Sequence, residues 1–180
     1  VLTFAKLLEL REFEAFDISS SLAPVDFALC GDWKLVPQII EYLENQQEVD
    51  GEVWVQALYV VYGKLLPLTP QDVGVKYEWE EIIDLLNEWV EDEKHVQNLP
   101  SRLGFALSFE STLAAMQDAN VNMMFRDWLW RQICIQSRAY VHWDMAMPLH
   151  QQDWNFNNLK AAPSASERFN VRNNNAVMGY

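Results

Sequence analysis

Apolar and polar positions in this chain recur mostly at helical spacing. The clearest case is "YEWEEIIDLLNEWVEDEKH", residues 77–95. At 100° per residue, Trp79, Ile82, Ile83, Leu86, Trp89 and Val90 share one face, and Glu80, Glu81, Asp84, Glu88, Glu91 and Asp92 share the other. This pattern predicts an amphipathic helix with one packed side and one wet side. Leu2 to Phe16 predicts a second, with Phe4, Leu7, Leu8 and Phe16 on one side and "DISSS" ending it. Pro24 opens a short helix that carries Phe27 and Leu29 and closes at Gly31. Asp32 caps the next segment, whose regular part starts near Pro37 and runs to about Gln47, with Ile39, Ile40 and Leu43 inward. Asp50-Gly51 predicts a turn.

Residues 52–66, "EVWVQALYVVYGKLL", carry two signals. Their β-branched and aromatic content suits a strand, but Trp54, Leu58, Val61 and Leu65 recur at helical spacing. A helix is expected, because no partner strand is evident elsewhere. "LTPQD" reads as a helix start, with Thr69 as cap, Pro70 in the first turn and Asp72 at the positive end of the dipole. Beyond Pro100 and Ser101, one helix is expected through "FALSFESTLAAMQDA". "NVN" (residues 120–122) then breaks the chain before a long aromatic helix, "MMFRDWLWRQICIQSRAYVHW".

From Asn155 onward neither periodicity survives. The stretch to Tyr180 holds seven asparagines, isolated Phe156, Phe169, Val171 and Met178, and more bases than acids. It predicts an extended arm that orders on a neighbouring chain, with Phe169 and Val171 as anchors and Arg168 and Arg172 meeting carboxylates. The expected fold is therefore all-α: a single irregular bundle of five to seven helices over residues 1–154, followed by an extended Asn-rich C-terminal arm over 155–180.

Composition narrows the class. Half of the 180 residues are hydrophobic, enough for a sizeable core. No apolar run reaches the ~18 residues a membrane span needs, and the densest, Val53 to Leu68, is broken by Gln56, Gly63, Lys64 and Pro67. "VLTFAKLLELREFEAF" mixes charges with apolar residues and lacks a small-residue cleavage site, so it does not read as a secretory signal. Cys30 and Cys134 sit singly in apolar surroundings, which predicts free buried thiols and a reducing compartment. The expected location is the cytoplasm or, for a viral chain, a particle assembled there.

The net charge of −13 is unevenly placed. Residues 1–100 hold 20 acids and 6 bases, and residues 101–180 hold 6 acids and 7 bases. No basic face is available to displace counterions, so direct binding to nucleic acid is not expected. Contact with a basic partner, or between copies of the chain, fits the layout better.

Chemistry-bearing motifs are few. Asp92 and Glu91 stand three and four residues before His95, but on the wet face of their helix, and no Glu precedes His142 or His150 at that spacing. Zinc spacings and a calcium loop with its central glycine are absent from the sequence, as are a phosphate-cradling Gly loop, a nucleophile elbow and a dinucleotide fingerprint. His142 and Asp144 are two apart and would face different ways on a helix. No metal, cofactor or catalytic constellation is expected. The remaining candidates are contact residues. Trp128, Trp130, Arg131 and Arg138 on the aromatic helix have the composition of interface hot spots, with Asp127 placed to pair Arg131. These readings predict a non-catalytic, protein-binding subunit of a larger homo- or hetero-oligomeric assembly, such as a viral or phage particle component or assembly factor. The competing expectation is an acidic inhibitor, an immunity protein or nucleic-acid mimic, that blocks a basic site.

Overall fold

Two helices of this protein are buried nearly all round, and the others assemble over them. The computed structural model describes residues 16–92, 100–140, 142–144 and 146–177. The helix expected over residues 2–16 lies outside these except for Phe16, as do His95 and the side chain of Arg172. Among the described residues there are eight α-helices and one two-stranded hairpin. The all-helical expectation therefore holds, with more helices than the five to seven expected and with a short hairpin that was not.

Helix α1 (Ala23–Cys30) is buried at every residue, carries Pro24 in its first turn and ends at Gly31, whose left-handed backbone (φ 65) closes it. Helix α3 (Glu48–Tyr62) is buried from Trp54 to Tyr62, Gln56 included. A helix apolar on every side belongs in the core, which resolves the ambiguity of residues 52–66. Asp50-Gly51 is not a turn but lies within the first turns of α3. Between the two runs α2 (Val36–Leu43), with Asp32 capping the 3-10 turn before it and Pro37 in its own first turn. It stops four residues short of expectation, because the chain tightens through Asn45 N to Tyr42 O and Gln46 N to Leu43 O. Helix α4 (Trp79–Glu91) lies against α2. The helix start expected at Thr69 is a 3-10 turn over Pro70–Asp72, where the Thr69 backbone N–H and hydroxyl both donate to the Asp72 carboxylate, at 2.7 and 2.8 Å.

Strands β1 (Ser101–Arg102) and β2 (Phe105–Ala106) pair antiparallel about Leu103-Gly104, and helix α5 (Phe109–Gln117) follows, so the helix expected from residue 105 starts four residues later. Its cap is Ser108, whose hydroxyl accepts from Ser111 N at 3.1 Å. Asn122 caps helix α6 (Met123–Ser137), which ends at Arg138 in a left-handed conformation (φ 51) instead of continuing to Trp143.

The C-terminal expectation is overturned. Residues 149–177 form helices α7 (Leu149–Lys160) and α8 (Pro163–Val177), not an extended arm, and the boundary drawn at 154/155 falls inside α7. Helix α8 packs on α5 and α6 of the same chain. Phe169 is 0% exposed and meets Phe109 edge-on at 5.9 Å. Phe156, Leu159 and Ala165 are buried with it. The apolar stripe is narrow, and the many asparagines dilute the helical period until only a packing partner makes it visible. Val171, expected to share a face with Phe169, is 49% exposed, as helical geometry turns residues two apart to opposite sides.

Candidate functional site

Helix α4 forms because its apolar residues fall on one side and its N-terminus caps itself. Glu81 Oε2 accepts from Glu78 N at 3.0 Å. Ile82, Leu86 and Trp89 are buried, while Trp79, Ile83 and Val90 are half-buried around them. The indole of Trp79 donates to Gln46 O at 2.9 Å, and that of Trp89 donates to Leu65 O at 2.8 Å, so both ends of the helix are tied down. Trp89 also meets Trp33 and Tyr62, and the three rings form a mutually edge-on cluster at 5.1–5.4 Å. Packing of this kind holds the helix against the repulsion of its own charges.

Those charges lie where the sequence places them. Glu80, Glu81, Asp84, Glu88 and Glu91 are exposed and Asp92 is half-buried. Glu80, Asp84, Glu88 and Glu91 fall within an arc of about 80°, spaced about 6 Å apart at four residues per step, over roughly 16 Å of helix. None of these four carboxylates has a hydrogen bond or ion pair among the described residues. On the edge of this ridge Asn87 donates to Glu44 Oε1 at 3.0 Å, and the exposed Glu41 on α2 and Glu44 just after its end carry the acidic surface sideways. Carboxylates arranged for acid–base work are held by burial or by a close partner; the four ridge carboxylates have neither. Among the described residues, no group of three or more His, Cys, Asp or Glu is placed to hold a metal ion.

The other expected contact residues are dispersed. Arg131 pairs with Asp127 at 2.6 Å as the spacing implies, and its guanidinium lies 4.7 Å from the centroid of the Trp128 ring. Trp128 is half-buried and Arg138 is exposed. Trp130 is a correction: it is 6% exposed and stacks against Trp143 inside the protein, unavailable to a partner. Phe169 is likewise core, and Arg168 Nε donates to the Ser137 carbonyl at the end of α6 of the same chain. Arg172 lies in the last part of α8. His142 and Asp144 are both exposed in the link between α6 and α7.

Sequence reasoning missed a buried polar cluster around Arg102. Its side chain is 0% exposed and donates to the carbonyls of Ala28 and Leu29 and to Gln132 Oε1; Gln132 Nε2 in turn donates to Leu29 O at 3.2 Å. Burial draws the guanidinium down to about 9, so it stays charged at neutral pH, where the C-terminal carbonyls of α1 offset it. Beside it, burial pushes the Cys30 thiol up to about 12, which leaves it an unreactive neutral group. Neither cysteine is in a disulfide. The hairpin that carries Arg102 also donates Leu103 N to Val60 O and Gly104 N to Val61 O, at 2.9 and 2.8 Å. It thereby caps the C-terminal ends of α1 and α3 together. "SRLGF" gives little warning of this, since Leu-Gly is not a favoured two-residue turn.

Comparison with known protein families, curated proteins and solved structures yields no match. Among the described residues, no helix is long and apolar enough to cross a membrane.

Proposed function

We propose that this chain is a non-catalytic subunit that acts by binding another protein, and that the contact is the acidic face of α4. The observation that carries the reading is the ridge of Glu80, Asp84, Glu88 and Glu91, without a partner among the described residues, on a helix anchored at both ends. Like charges three and four residues apart each cost a helix about 0.2–0.5 kcal/mol, and interspersed lysines would relieve that cost. A basic partner surface relieves it on binding and steers encounter over several ångströms. The helical C-terminus shifts the proposed contact from an extended arm to this face, and with the arm goes the support for a particle component. A partner with a basic active site would make the chain an inhibitor; a partner with a basic structural surface would make it an assembly subunit.

Zero-length carboxyl-to-amine crosslinking in extracts of the native source tests the proposal. Crosslinks are expected from Glu80, Asp84, Glu88 or Glu91 to lysines of one recurrent partner, and the double change Asp84→Lys, Glu88→Lys should abolish them. Crosslinks confined to the chain itself, or unaffected by charge reversal, would refute it.

A further inference from the structure

We draw no further inference here: the strongest candidate, the partly exposed side of α6 where the Arg131 guanidinium lies over the Trp128 ring, with Met124 one turn before and Ile135 one turn after, is a surface patch whose arginine is paired by Asp127 of the same helix, and nothing in the structure shows what covers it.

Discussion

Gly51 of α3 lies directly under the indole of Trp79 from α4: a Cβ added to Gly51 would stand 2.1 Å from the Trp79 Cη2 atom. The glycine lets the first turn of the acidic helix close onto the buried helix, and the Trp79 hydrogen bond to Gln46 O fixes the ring there. Gly51→Ala removes a backbone entropy cost worth about 1 kcal/mol in a helix, yet it must displace a ring held by a hydrogen bond. Overpacking of this kind costs about 1–3 kcal/mol or more. Net destabilisation is expected in urea unfolding, with loss of the Trp79 fluorescence environment. A stabilised Gly51→Ala protein would mean that the two helices do not meet in this way.

The C-terminal helices should behave as core. Phe169→Ala is expected to cost about 3–5 kcal/mol, and deletion from residue 163 should depress melting sharply, not merely weaken association. Ser166 Oγ donates to Glu110 Oε1 at 2.6 Å, joining α8 to α5. Burial works against the Glu110 charge, but hydrogen bonds, led by that from Ser166, outweigh it and hold its pKa below the ordinary value. A depressed carboxyl contributes stability that is present above its unfolded pKa and lost as pH falls through the folded one. Ser166→Ala should therefore lower stability at neutral pH and flatten its decline in acid, as followed by melting temperature against pH.

The ridge on α4 should be indifferent or adverse to folding. Changing Glu80, Asp84 and Glu88 to Gln is expected to leave the fold intact and to stabilise it slightly, by about 0.2–0.5 kcal/mol for each like-charge pair removed. Added salt should raise the melting temperature of the unsubstituted chain more than that of the variant, because screening relieves the same repulsion. A collapse of stability in the variant would place these carboxylates in buried pairs.

Arg102 should not tolerate lysine. One ammonium cannot reproduce the planar set of donors that reaches Ala28 O, Leu29 O and Gln132 Oε1. Buried acceptors left unmet cost about 1–3 kcal/mol each. Arg102→Lys is expected to destabilise by several kcal/mol, and hydrogen exchange should quicken first at the C-terminal ends of α1 and α3. Unchanged exchange there would contradict the double-capping role of the hairpin.

Cys30 should mark the alkaline limit of stability. The folded chain holds its thiol proton up to about 12, whereas a thiol in the unfolded chain has the ordinary value of 9.0. Between those values the folded state binds the extra proton, so stability falls as pH rises. Tyr62, raised chiefly by burial, acts in the same direction, and Arg102, lowered by burial, acts in the opposite one. Cys30→Ala should shrink the loss of melting temperature from pH 9 to 11, whatever it does to stability at pH 7.

Much of the N-terminal half was legible in the order of its residues. Pro24 and Gly31 bracket α1, Asp32 and Pro37 introduce α2, and the two faces of α4 follow from periodicity, because each of these signals acts within one or two turns of helix. The exposed acids of the ridge were equally plain, since a charge without a partner stays in water. Three features waited on the tertiary structure. Gly51 reads as a turn residue until Trp79, 28 positions later, is laid on it. The hairpin at Leu103 contradicts its local preferences and exists because two helix ends need its donors. Residues 155–177 look like an unpatterned tail until α5 and α6 supply the surface that Phe169 fills. Local spacing and capping are written in neighbouring residues, but burial of a sparse stripe, a close approach or an unmet carbonyl depends on groups that only folding brings together.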